Sequence, residues 1–192
     1  MITFFDTETT GVPRDYKAPA SDLENWPRVV QVGWICCLND GTLLEEQQHT
    51  IKPIKFKIPK EASDVHGITQ EIAKATGEAL KPVLTSLAWR IFFSDRVVGH
   101  NIEFDDRVIT AEFIRIGVHS RLDSRLTICT MKASTNFCKL PGNYPGKYKW
   151  PKLEELYFKL FDEPMGEAHT ALMDIKNTAK CYFKLVELGL IK

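Results

Sequence analysis

The sequence carries no net charge: Lys plus Arg and Asp plus Glu both total 25 among its 192 residues. A strongly basic balance would have marked a nucleic-acid-binding domain. Its absence does not exclude that class, because a metal-dependent nuclease neutralises phosphate with its cations. Cysteine is sparse and spaced against chemistry. Cys36, Cys37, Cys129, Cys138 and Cys181 are odd in number and form no C-x-x-C pair, which argues against a disulfide framework or zinc knuckle and for a reducing compartment. No apolar run approaches the ~18 residues of a membrane span, so no membrane association is expected. The chain opens on the strand-like Ile2-Thr3-Phe4-Phe5, without a basic segment followed by an apolar stretch. No signal peptide is therefore expected, and a cytoplasmic protein is. Internal repeats and low-complexity tracts are also missing.

What remains is an ordinary globular composition, 44% apolar and 26% charged, with a length that suits one domain over residues 1–192 and a full core. Ile2 to Asp6 reads as a buried strand. Residues 12 to 28 hold three prolines and read as a long loop. Val29 to Ile35, rich in β-branched and aromatic residues, is a second strand. Asn39-Asp40-Gly41 is a tight turn, and Thr42 to Lys52 returns as a more polar third strand.

Beyond Pro53 the pattern turns helical: a short turn near Glu61 to Val65, then a helix capped by Thr69. Leu80, Val83, Leu84, Leu87 and Ile91 share one stripe of a helix over residues 79–94. A strand from Arg96 to Gly99 delivers His100-Asn101. A helix from Phe104 to Ile116 stops at Gly117, and Arg125 to Thr130 is a fifth strand. Pro151 is expected as an early residue of a helix holding Leu153, Leu156, Tyr157 and Leu160. A last helix, from near Ala168 to Leu188, is expected to bury Leu172, Ile175, Ala179, Tyr182, Phe183 and Val186.

Several acidic residues have no packing reason to be where they are. Asp6 and Glu8, in Phe4-Phe5-Asp6-Thr7-Glu8-Thr9-Thr10-Gly11, are two apart on an extended segment and so project from the same side. Like charges at close range raise each other's pKa, so such a pair at the end of an apolar strand suggests a metal site. Asp105 lies in His100-Asn101-Ile102-Glu103-Phe104-Asp105, and Asp174 in His169-Thr170-Ala171-Leu172-Met173-Asp174. Singly, Asp105 reads equally as a helix N-cap, Asp174 as a solvated charge, His100 as a histidine holding a loop and His169 as a residue preceding a helix.

Jointly, the three motifs resemble the DEDDh branch of the DnaQ-like 3′–5′ exonucleases, the family that includes the bacterial replicative proofreading subunits. The resemblance spans residues 2 to about 188. It implies an α/β, ribonuclease H-like fold with a mixed five-stranded sheet and helices on both faces. It also implies that Asp6, Glu8, Asp105 and Asp174 hold two divalent cations, Mg²⁺ or Mn²⁺, since all-oxygen ligation suits hard ions. His169 would be the general base. Asp106 is set aside because the pattern puts the ligand directly after Phe104. Glu61 to Thr69 resembles the family's substrate-contacting stretch, so Thr9, Glu61 and His66 would hold the terminal nucleotide.

The implied activity is hydrolysis at the 3′ end of single-stranded or frayed DNA, releasing nucleoside 5′-monophosphates, with a polymerase or repair complex as a possible partner. A 3′ exoribonuclease and a non-cutting 3′-end binding module are the alternatives; the intact set of four acids and a histidine weighs against the latter. Tyr144, Lys147, Tyr148, Lys149 and Trp150 either stack bases and grip phosphates or form a solvated loop with Trp150 beneath the final helices. The loop with Arg14, Lys17, Trp26 and Arg28 poses the same choice.

Overall fold

The computed structural model describes residues 1–118, 126–144, 146–166 and 170–192. Its elements run β1 (Ile2–Thr9), β2 (Val29–Cys37), β3 (Leu43–Thr50), α1 (Lys60–His66), α2 (Gln70–Thr76), α3 (Leu80–Phe93), β4 (Arg96–Gly99), α4 (Ile102–Ile116), β5 (Leu126–Cys129), α5 (Thr130–Cys138), α6 (Leu153–Phe161) and α7 (Ala171–Glu187). Among the described residues five strands form one mixed sheet in the order β3-β2-β1-β4-β5. β1, β2 and β3 pair antiparallel, whereas β1–β4 and β4–β5 are parallel. This is the expected ribonuclease H-like architecture.

The sheet is covered on both faces, and the period-2 alternation of β1 and β2 feeds both cores. Phe5, Val32, Trp34 and Cys36 pack with Leu84, Leu87 and Ile91 of α3 and Val108 and Ile109 of α4. Ile2, Phe4, Ile35 and Cys37 pack with Leu156 of α6 and Ile175, Tyr182 and Leu185 of α7. Asp6 and Glu8 continue the row of Phe4 and therefore belong to the α7 face. Thr7 continues the row of Phe5 and belongs to the α4 face.

Gly33 is what lets α7 lie close to β2. A Cβ there would stand 2.8 Å from Ile175 Cδ1 and 3.4 Å from Ala171 Cβ. The start of α7 is fixed to the sheet as well: the Leu172 N–H donates to Gln48 Oε1 at 3.0 Å and the Ala171 N–H to Gln31 Oε1 at 3.4 Å, satisfying helix donors that have no intrahelical partner. Thr170 caps the same turn by accepting from the Met173 N–H.

Several boundaries differ from the sequence pattern. α4 begins at Ile102, after Asn101 takes a left-handed backbone (φ 71°), a conformation Asn tolerates; Asp105 therefore lies inside the helix and does not cap it. Pro151 stays outside α6, whose cap is Lys152. α5 departs from the pattern altogether, since Thr130-Met-Lys-Ala-Ser-Thr-Asn-Phe-Cys138 is rich in polar residues, yet Met131, Ser134 and Cys138 form its buried face. In α7 the buried position is Leu185, while Val186 is 38% exposed. Trp150 is 60% exposed and does not lie beneath the final helices, whereas Trp26 is core at 3%. No helix among the described residues is long and apolar enough to cross a membrane.

Candidate metal centre

β1 outruns β4. The parallel ladder pairs only Ile2, Phe4 and the residue between them with β4, so from Phe5 onward that side of β1 meets no strand among the described residues. The chain leaving β4 turns through His100 and Asn101 and starts α4 beside this gap. Asp105 fills it, accepting from the Thr7 backbone N–H at 3.0 Å and from the Thr7 hydroxyl at 2.6 Å, both on Oδ1. On the other face of β1, Asp6, Glu8 and Asp174 each present a carboxylate oxygen within 4.8 Å of the other two. Asp174 reaches them from the first turn of α7, where a carboxylate is favoured by the helix dipole.

The structure thus brings three of the four expected acids into one cluster and puts Asp105 beside it, held by Thr7. Burial, then the charges of Asp105, Glu8 and Asp174, hold the Asp6 carboxyl well above the usual carboxylate range. Burial pushes Asp105 up to about 7, against the two Thr7 hydrogen bonds that lower it. A group of carboxylates that cannot all ionise unaided fits a cation, and an all-oxygen donor set fits Mg²⁺ or Mn²⁺. The cluster opens on a cleft of about 310 Å³ lined by Asp6, His100, Lys152, Met165, Asp174 and Thr178.

His100 is a loop-holding histidine. Its Nε2 donates to the Pro151 carbonyl at 2.9 Å and its Nδ1 meets the Thr130 hydroxyl at 3.0 Å. A carbonyl only accepts, so Nε2 carries the proton, and burial lowers the pKa of the ring. His66 is buried at the end of α1. Its Nδ1 accepts from the Ile68 N–H at 3.1 Å, and the ring lies against the backbone of Thr9, whose hydrogen bond raises a pKa that burial lowers more strongly. The structure therefore joins Thr9 and His66, while Glu61 stands exposed in the first turn of α1. His169 lies outside the described residues, directly before the cap of α7.

Sequence reasoning missed Thr7, Gly33 and the two glutamines that seat α7. Gln31 and Gly33 were signals in plain view: a buried amide needs a partner, and a glycine inside an apolar strand marks a close approach.

The model of the RNase T-type exonuclease family matches residues 3–182. The chain belongs to this exonuclease family. It is similar to the uncharacterized exonuclease CP81 of Escherichia phage 186, 31% identical over 182 residues that cover 91% of this chain and 82% of that protein. Its fold resembles E. coli exonuclease I in complex with a dT13 oligonucleotide (TM-score 0.75, 23% identity), covering 97% of this chain and 40% of that one. It also resembles exonuclease X in complex with 5′ overhanging duplex DNA (TM-score 0.64, 24% identity), covering 98% of this chain and 93% of that one. The chain therefore spans about two fifths of the exonuclease I chain it matches. The resemblance to DnaQ-like exonucleases drawn from the motifs holds.

Proposed function

We propose that this exonuclease hydrolyses the 3′-terminal phosphodiester of single-stranded or frayed DNA in a metal-dependent reaction that releases nucleoside 5′-monophosphates. The observation that carries the reading is the convergence of Asp6, Glu8 and Asp174 within 4.8 Å at the carboxyl end of β1, where open α/β sheets bind ligands. Asp105, next to them on Thr7, completes the donor set. Bound divalent cations supply the positive charge that activates a water and stabilises the leaving 3′ oxygen.

The chain's own residues do the rest. Asp6, Glu8, Asp105 and Asp174 hold the cations. His66 and Thr9, in contact at the end of β1, flank the terminal nucleotide. Glu61, on the same short helix, helps hold that nucleotide. His169 takes the proton from the attacking water, for which an unperturbed pKa near ~6.5 is suited around neutrality. The oligonucleotides bound to the exonuclease I and exonuclease X structures favour DNA over RNA as the substrate.

Matched 5′-labelled DNA and RNA oligonucleotides incubated with Mg²⁺, Mn²⁺ or EDTA test this directly. A ladder shortening one nucleotide at a time from the 3′ end, with DNA, and abolished by EDTA, is the expected result. Faster loss of RNA would assign an exoribonuclease instead, and tight binding without cleavage would assign a 3′-end binding module.

A further inference from the structure

A second and larger cleft, of about 580 Å³, lies at the α4 N-terminus and is lined by Tyr16, Phe104, Arg107 and Trp150, among others. Its volume falls within the ~300–1,000 Å³ of small-ligand sites. Tyr16 and Trp150 are each 60% exposed, and they come from the two loops, residues 12–28 and 139–151, that the fold does not need for its sheet.

Both rings stand on firmly held backbone. Asn25 brackets Asp15, donating to its carbonyl at 2.9 Å and accepting from its N–H at 2.8 Å. Arg115 donates to the carbonyls of Leu23, Trp26 and Pro27, and Trp26 donates to Pro19. On the other loop, Pro141 pairs with Tyr148, the Lys149 N–H donates to Leu140 and Pro151 accepts from His100. Two large rings left in water by anchored loops suit a partner with flat apolar faces. Cations attend them: Lys132 Nζ lies 5.7 Å from the centre of the Trp150 ring while pairing with Glu103, and Arg107 is exposed on the cleft. Aromatic faces with interleaved cations are the chemistry of single-strand binding.

α4 connects the cleft to the metal centre. Glu103, Phe104 and Arg107 turn one face of α4 to it, while Asp105 turns to Thr7. A strand with its terminal phosphate at the acidic cluster would have to cross the start of α4 to reach it.

We infer that Tyr16 and Trp150 clamp the unpaired bases immediately upstream of the terminal nucleotide, making the preferred substrate a single-stranded 3′ tail of several nucleotides. This rests on the exonuclease reading of the metal centre. The test compares wild type, Tyr16→Ala, Trp150→Ala and Trp150→Phe on three substrates with Mn²⁺. These are the p-nitrophenyl ester of thymidine 5′-monophosphate, which spans one nucleotide, a single-stranded DNA oligonucleotide, and the same oligonucleotide with abasic residues at the two positions before its 3′ terminus.

On the intact oligonucleotide each alanine variant is expected to raise KM by about 5- to 100-fold, the range for losing one stacked base. The loss should exceed any change on the ester. Trp150→Phe should restore most of it, and on the abasic strand the variants and wild type should converge. Equal losses on ester and oligonucleotide, or the same variant penalty on the intact and abasic strands, would overturn the clamp and leave the exonuclease reading standing. A wild type that cleaves none of the three overturns both.

Discussion

Gly33 stands directly across the β1–β2 ladder from Asp6, and α7 rests on it so closely that a Cβ would meet Ile175 at 2.8 Å. The glycine is thus the floor that brings Asp174 down to Asp6.

Gly33→Val should therefore lift α7 and separate the two carboxylates. Overpacking of this kind costs about 1–3 kcal/mol, and kcat should fall more than KM rises, because His66, the proposed substrate contact, lies on a different element. Gly33→Ala should sit at the mild end, since the nearest atom is the tip of a flexible isoleucine. Thermal unfolding and steady-state kinetics read both effects, and a Gly33→Val protein with wild-type kcat would show that α7 does not set the site.

Asp6→Ala and Asp174→Ala should each abolish hydrolysis, by at least ~10³-fold, as expected when several kcal/mol of metal-derived stabilisation is lost. The fold should survive. Both replaced groups are part of a cluster whose charges oppose one another, so melting in EDTA should be unchanged or slightly raised. A large fall in melting temperature, with turnover retained, would make these residues structural.

The carboxyl shifts give metal binding a definite pH dependence. Asp6 and Asp105 have folded pKa values above their unfolded ones. Their contribution to stability is complete below the unfolded value, near ~3.9, and is lost as pH rises through the folded value, about 7 for Asp105. Added Mn²⁺ should accordingly stabilise the protein more at pH 8 than at pH 5, approaching about 2.7 kcal/mol at a hundredfold excess over Kd. Binding at pH 6 should release protons, visible as calorimetric heats that vary with the buffer. Thr7→Val removes a hydrogen bond that lowers the Asp105 pKa, so this transition should move to higher pH. A pH-independent Mn²⁺ effect would contradict the shared protonation of the cluster.

The two histidines should separate by their kinetics. With His169 as base, kcat/KM at saturating metal should fall as pH drops through about 7 to 6. His169→Gln and His169→Ala should depress the rate by roughly 10²-fold or more and remove that limb. Repeating the profile at several metal concentrations distinguishes loss of the base from loss of metal. His66→Ala should cost less in kcat than His169→Ala, and equal losses at saturating substrate would erase the division between grip and base.

The outline of the protein was legible from local pattern alone. Apolar runs rich in β-branched and aromatic residues told β1 and β2 apart from the helices, the stripe from Leu80 to Ile91 marked α3, and the two-residue spacing of Asp6 and Glu8 put both on one face of an extended strand. These features depend on backbone periodicity and side-chain chemistry, which act over a few residues. α5 escaped because its buried face is built from Met131, Ser134 and Cys138 and makes sense only against α6 and α7.

What the tertiary structure alone decided is which groups meet across the chain. Sequence proposed four equivalent acidic ligands, but packing put Asp105 on the α4 face under Thr7 and gathered Asp6, Glu8 and Asp174 on the α7 face. Composition could not choose between core and surface for Trp26 and Trp150 either. The first is buried within the loop that Arg115 pins down, and the second is held out in water beside Pro151, which His100 ties down. Burial depends on contacts between residues far apart in the chain, and a one-dimensional pattern carries no information about them.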